Sequence, residues 1–263
     1  MATYQSLYNS WAAFAGNLAT NNQIKTCDWK KSPEIISMLN HVQDEHGIVF
    51  FNKIRNEFNL TQDEIRFLCT ANDTYGNSRT IEFTPGFFAS PTTMRYIYHA
   101  CKIFSIHKEK YPINFVEVGG GYGGLALIMH LLAEKYNITI KEYRIYDIPE
   151  VQALQKAYIN ASDVKNANIT FGNCSEFASD MYIYTHNDVN WFLISAYAIG
   201  EFGIPMADKY LSNLCGSWLC GGFLVWNTEE VSNNIPSIAV MEIENPDTSC
   251  GRNNRVISWY KST

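Results

Sequence analysis

Three acidic residues and one glycine-rich turn hold most of the chemistry legible in this 263-residue chain. Phe115-Val116-Glu117-Val118 is an apolar run carrying one acid. It leads into Gly119-Gly120-Gly121-Tyr122-Gly123-Gly124, with a helical pattern, Leu125 to Leu132, directly behind. Glycine has no Cβ, so such a turn lets the backbone approach a ligand closely. The helix that opens at Gly123 offers unpaired N–H groups and a partial positive end. A turn of this kind cradles a nucleotide-like cofactor. Asp147 closes the next apolar run, Tyr143-Arg144-Ile145-Tyr146-Asp147. A carboxylate there accepts hydrogen bonds from both ribose hydroxyls of a cofactor lying across the strand ends. Its plainer role would be a helix cap before Pro149. Glu201 follows a later run ending near Ser195, where a carboxylate could take a proton from an acceptor.

The elements needed to position these groups are also readable. Residues 1 to about 110 look helical. Tyr4, Leu7, Tyr8, Trp11, Phe14 and Leu18 recur at helical spacing. Ser32-Pro33 and Ser90-Pro91 read as helix starts, and Thr61-Gln62-Asp63-Glu64 reads as a capping box. Asn72 to Asn77 reads as a polar turn or loop. After residue 110 the rhythm becomes strand, helix, strand. Strands are expected near 114–119, 141–147, 167–172, 189–195 and 221–227, and helices near 123–136, 149–161 and 205–214. Alternation of this kind implies a parallel sheet. The chain closes on two further strands, 237–243 and 255–260, joined by a short polar loop, which predicts a terminal antiparallel pair. The expected architecture is α/β: five parallel strands plus that pair, covering 111–263, with a helical extension over 1–110 that serves as a substrate cap.

The glycine turn satisfies two patterns at once. Gly119-x-Gly121-x-x-Gly124 is the dinucleotide fingerprint. Glu117-x-Gly119-x-Gly121-x-Gly123 is the E-x-G-x-G-x-G pattern of S-adenosylmethionine (SAM) enzymes. Three features favour SAM over NAD(P). Little chain follows the turn for a separate substrate domain. The Tyr-x-x-x-Lys dyad of short-chain dehydrogenases occurs only at Tyr98 and Lys102, upstream of the turn and in the wrong order. An acid at position 117 is unusual in dinucleotide folds. The candidate cofactor set is Glu117, Gly119, Gly120, Gly121, Gly123, Asp147, Ile148, Asn173, Cys174 and Ser195. Asn173 and Cys174 follow the third parallel strand, where the adenine would lie.

The segments 115–125, 146–152 (Tyr-Asp-Ile-Pro-Glu-Val-Gln) and 195–202 (Ser-Ala-Tyr-Ala-Ile-Gly-Glu-Phe) resemble those of the putative sugar O-methyltransferases. Asn72 to Asn77 and Met94-Arg95-Tyr96 are similar to family segments too. Ile199 and Gly200 depart from the family pattern, while Glu201 keeps to it. The resemblance runs loosely from about 70 to 260. It implies SAM as methyl donor and a sugar hydroxyl, free, nucleotide-linked or in a glycan, as acceptor. Methyl transfer to oxygen needs alignment and a base. Glu201 is the first candidate for that base, with Tyr197 and His99 behind it. Tyr75, Asn77, Arg95 and Tyr96 are candidates for the acceptor side, since aromatic faces and planar polar groups suit sugars. A non-catalytic methyltransferase-like module is the reading without chemistry.

Composition narrows the partners. The net charge of −6 and the lack of a Lys/Arg cluster argue against nucleic acid. No apolar run is long enough for a membrane helix, and the N-terminus has no signal-peptide pattern. Seven cysteines without a C-x-x-C pair predict neither a disulfide framework nor a structural zinc site, which fits a reducing, cytoplasmic setting. No paired carboxylates at a strand end and no His-x-x-x-His suggest a metal. The oligomeric state is open.

Overall fold

The computed structural model describes residues 4–39, 42–107, 113–162, 164, 167–175, 191–214, 219–245 and 254–261. His41, His186, Cys215 and Cys250 lie outside them. The chain divides into two interleaved compact units. One comprises Met1–Cys101, Gly121–Leu132 and Ile148–Asn166. The other comprises Lys102–Gly120, Ala133–Asp147 and Ala167–Thr263. Of the expected extension over 1–110, Met1–Cys101 falls in the first unit and the residues from Lys102 on fall in the second.

The first unit begins with helices α1 (Tyr4–Thr20), α2 (Pro33–Met38), α3 (Asp44–Phe58) and α4 (Gln62–Asp73). The Ser32 hydroxyl accepts from the Ile35 N–H, and Pro33 occupies the first turn of α2. At α4 the capping box forms as the sequence predicts. The Thr61 N–H donates to Glu64 Oε2 at 2.7 Å and the Glu64 N–H to Thr61 Oγ1 at 3.3 Å. That box carries α4 through Asp73, so Asn72 and Asp73 are helical and only the following residues turn. The helical reading of this region also misses a hairpin, β1 (Ile81–Thr84) with β2 (Phe87–Ala89). Pro85-Gly86 supplies the bend, Gly86 at φ 75°, between two short runs rich in β-formers. Helix α5 (Pro91–Ile106) follows, and α6 (Gly124–Tyr136) and α7 (Pro149–Ala161) come later in the chain. The buried Trp11, Ala15 and Leu18 lie on α1, which packs along α7.

The second unit holds a seven-stranded sheet among the described residues. Its strands are β3 (Ile113–Val118), β4 (Ile140–Asp147), β5 (Ile169–Asn173), β6 (Trp191–Ala196), β7 (Leu219–Trp226), β8 (Val240–Ile243) and β9 (Arg255–Tyr260). Their order is β5-β4-β3-β6-β7-β9-β8. The first five run parallel, β9 pairs antiparallel with β7, and β8 antiparallel with β9. This is the strand order of the class I SAM-methyltransferase fold. The strands β3 and β7 are buried along their whole length, β7 as an apolar run and β3 with Asn114 and Glu117 buried inside it. Strand β8 begins at Val240 rather than near 237, because Pro236 to Ala239 close a turn with the Ala239 N–H on the Pro236 carbonyl, 2.9 Å. Between β6 and β7 lie α8 (Ala198–Glu201) and α9 (Ile204–Leu214). No described helix is long and apolar enough to cross a membrane.

Candidate active site

In the second unit the candidate residues gather at the carboxyl ends of the parallel strands. In open α/β sheets ligands bind at this edge. Gly119 leaves β3 at φ 77°, and its N–H donates to the Tyr146 carbonyl at 3.0 Å. A Cβ on Gly119 would collide with the Cβ of Ala198, so the turn passes directly against the chain leaving β6. Ser195 ties the same two strand ends together. Its hydroxyl donates to the Val118 carbonyl at 2.9 Å and accepts from the Ile199 N–H at 3.1 Å. Both bonds are internal, so Ser195 shapes the edge through its neighbours.

Asp147 ends β4 opposite Asn173 on β5, and its carbonyl accepts from the Cys174 N–H at 3.0 Å. Asn173 Oδ1 accepts from both the N–H and the hydroxyl of Ser175, 2.9 Å each, closing an Asx turn. Tyr210 on α9 reaches the same corner and donates to the Cys174 carbonyl at 3.3 Å. Its hydroxyl is pushed up to about 12, first by burial and then by Cys174 and Asp147. Sequence reasoning misses Tyr210, since nothing in a helix after a gap marks its distance from a strand end.

Glu117 lies within β3, fully buried, and accepts from the Tyr143 hydroxyl at 2.9 Å. Burial raises its pKa from 4.5 to about 7, the Tyr143 bond opposes that rise, and the nearby Asp147 carboxylate adds to it. The folded chain therefore holds this proton more tightly than the unfolded one. Stability falls as pH rises from about 4.5 to about 7 and is flat above. Glu117→Gln keeps an acceptor for Tyr143 and removes the charge. It is expected to gain on the order of 3 kcal/mol above pH 7 and nothing near pH 4. Denaturant unfolding of both proteins across that range measures this. Parallel pH profiles would place the proton elsewhere.

Beyond β6 the backbone of Tyr197 takes φ 79°, a strained value for a residue with a side chain. Its N–H donates to the Val225 carbonyl at 2.8 Å and its hydroxyl to Glu244 Oε1 at 2.9 Å. Glu244 is buried and also accepts from Asn254 Nδ2 through Oε2, 2.6 Å. The Tyr197 hydroxyl is thus anchored inward. Glu201, half-buried at the end of α8, keeps a carboxylate at the strand-end edge, and Asn227 Nδ2 donates to its Oε1 at 2.7 Å. Glu244, Asn254 and Asn227 are further residues that the sequence does not flag.

The remaining candidates belong to the first unit. Gly121 and Gly123 carry positive φ, 56° and 93°. Ile148 precedes Pro149 at the start of α7. His99 is fully buried beside Phe50 and Tyr98. Tyr96 meets Tyr122 edge-on at 5.8 Å, and Arg95 Nη2 donates to the Leu39 carbonyl at 3.0 Å. Both are buried. Tyr75 and Asn77 flank Gly76, which packs against Trp29. Lys25 stands over the Tyr75 ring at 5.4 Å, and Asn77 donates to Asp28 at 2.9 Å. Among the described residues, no group of three or more His, Cys, Asp or Glu could hold a metal.

The strand order and the glycine turn at the end of β3 define a class I SAM-methyltransferase fold. Solved structures share its outline at a distance. The SAM-dependent methyltransferase from Agrobacterium tumefaciens is 11% identical, with a TM-score of 0.42, over 63% of this chain and 62% of its own length. The M. capricolum protein TrmK, in complex with S-adenosyl-homocysteine (SAH), is 10% identical, with a TM-score of 0.41, over 62% of this chain and 68% of its own. The CMeT domain of the citrinin polyketide synthase is 10% identical, with a TM-score of 0.42, over 96% of this chain and 95% of its own. No protein-family model matches the chain, and no curated protein does. At such low similarity the fold assignment rests on the chain's own strand order.

Proposed function

We propose that the chain is an enzyme that transfers a methyl group from SAM to a sugar hydroxyl, in a glycan or a nucleotide-linked sugar. The observation that carries the cofactor reading is the strand-end edge of the second unit. There Gly119 turns with positive φ and no room for a Cβ, while Asp147 closes the neighbouring strand. These residues fit the group: a bare backbone for close approach, and a carboxylate for paired ribose hydroxyls. Asn173, Cys174 and Tyr210 wall the adjoining corner. The antiparallel β9 between β7 and β8 favours this reading over a dinucleotide-binding enzyme.

SAM, when bound, supplies an activated methyl group for in-line displacement. The chain must orient the acceptor oxygen and take its proton. Glu201 suits that second task, with Asn227 fixing one carboxylate oxygen and leaving the other for the acceptor. With SAM bound as methyl donor, Glu201 would take the hydroxyl proton of the acceptor oxygen that receives the methyl group. The sugar part of the reading is supported by the resemblance of the 115–125, 146–152 and 195–202 segments, and the net charge of −6 weighs against an RNA acceptor.

The test is methyl transfer from labelled SAM to a panel of glycans, nucleotide sugars, phenols and RNA. An O-methylated sugar product is the expected result, and methylation of RNA or phenols alone would overturn the acceptor class. For the cofactor, Asp147→Ala is expected to weaken SAH binding by about 1.5–3 kcal/mol with the fold retained. A calorimetric titration reads this, and an unchanged dissociation constant would reduce Asp147 to a strand terminus.

A further inference from the structure

One residue of the glycine turn is not a glycine, and its surroundings are unusual. Tyr122 is buried in the first unit, and its ring lies 4.7 Å from the ammonium of Lys30. The same ammonium stands 5.1 Å from the Tyr158 ring and 5.2 Å from that of Trp29. It also donates to the Asn72 carbonyl. Lys30 is 1% exposed. Asn72, likewise buried, knits the cage: its amide donates to Tyr122 Oη at 3.0 Å and to Thr93 Oγ1 at 2.7 Å, and its oxygens accept from the Tyr158 hydroxyl at 2.9 Å. Trp29 meets Tyr122 and Tyr158 edge-on at 5.3 and 6.0 Å. On either side of Tyr122, Gln155 Nε2 donates to the Gly121 carbonyl at 3.0 Å, and the Gly123 carbonyl accepts from Leu127 at 3.1 Å.

We propose that Lys30 is a positioning residue for the cofactor turn: its buried ammonium, caged by Trp29, Tyr122 and Tyr158 and tied to Asn72, holds the Tyr122 ring and so fixes the backbone of Gly121 and Gly123. Positive-φ glycines have many conformations open to them, and a ring fixed between them restricts that freedom. Cation–π attraction strengthens when the cation is desolvated, so a buried ammonium grips its rings more firmly than an exposed one. The charge is kept at a cost. Burial lowers the Lys30 pKa from 10.5 to about 8 although Asp73 pulls it back up, so the folded chain binds this proton less tightly than the unfolded one. Protonated Lys30 therefore costs stability below pH 8, and the cost fades as pH rises from about 8 to 10.5. The other groups around it are Asp73 and Cys69 on α4, Tyr96 on α5, Tyr122 in the turn, Tyr158 on α7 and the adjacent Lys31. Burial pushes the Tyr122 and Tyr158 hydroxyls and the Cys69 thiol well above their ordinary values.

Two readouts on the intact chain test this, the second resting on the SAM reading. In the ligand-free protein, hydrogen-exchange protection of the Leu127 N–H, which donates to the Gly123 carbonyl, is expected to step down as pH rises through about 8. In Lys30→Met it should be about tenfold lower at pH 7 and show no step. In the second readout, Lys30→Met binds SAH about tenfold more weakly at pH 7, and the parent converges on the variant by pH 9.5. Unfolding should move the other way, with Lys30→Met as stable as the parent or more so at pH 7. A merely structural lysine would lose stability and binding together. Lys30→Arg, which keeps its charge throughout and stacks on the same rings, is the second variant and should keep its protection with no step at pH 8. Equal protection in parent and Lys30→Met, or the same pH step in Lys30→Arg as in the parent, overturns the inference. A parent that fails to bind SAH overturns the functional reading instead, and the exchange readout still decides the role of Lys30.

Discussion

Glu201→Gln is expected to keep SAH affinity and lose about 10²–10⁴-fold in single-turnover methyl transfer, the span usual for loss of a general base. The substitution preserves shape. The Gln carbonyl still accepts from Asn227 Nδ2, so α8 and its packing on β7 are undisturbed. Only the capacity to take a proton disappears. Tyr197 is the alternative that needs excluding. Its hydroxyl already donates to buried Glu244, which Asn254 holds in turn, so Tyr197→Phe should act mainly on stability. Measured side by side on an accepted sugar, the two variants separate chemistry from scaffolding. Full activity in Glu201→Gln would remove Glu201 from the base role. Lost SAH binding in the same variant would make it a residue of the fold.

Gly119→Ala is expected to reduce SAH affinity at least about hundredfold. Two separate penalties fall on this position. At φ 77° an L side chain is strained, and the added Cβ would meet Ala198, which the Ser195 bonds hold in place. Gly86→Ala isolates the first penalty. Gly86 has nearly the same φ, 75°, with nothing within 4 Å of the added atom. That variant should lose about 1–2 kcal/mol of stability, the cost of the left-handed backbone, and bind SAH like the parent. If Gly119→Ala also binds like the parent, the turn is not where the cofactor lies.

Much of the fold is legible in the amino-acid sequence. Near-continuous apolar runs mark β6 and β7, because strands buried on both faces leave little place for polar alternation, while β3 and β4 carry polar residues within theirs. The Ser32-Pro33 start and the capping box mark helices through purely local hydrogen bonds. The hairpin at 81–89 stays hidden because its runs are too short for a period to show, and only Pro85-Gly86 advertises it. Asn72 reads as loop for its polarity, yet it is buried. What makes an asparagine tolerable there is a ring of partners drawn from α5, the glycine turn and α7, which are far from it in the sequence. The same limit hides Lys30, Tyr210 and Glu244. The glycines and Asp147 stand out because their demands are local: backbone conformation in the first case, the end of a strand in the second. A base is harder to find, since its identity depends on which carboxylate keeps a free oxygen after packing.

The most direct test of the account is a calorimetric titration of the intact chain with SAH and, separately, with NADH. Saturable one-to-one binding of SAH is expected, weakened in Asp147→Ala and lost in Gly119→Ala, with no heat from NADH. Binding of NADH with none of SAH would contradict it at its centre.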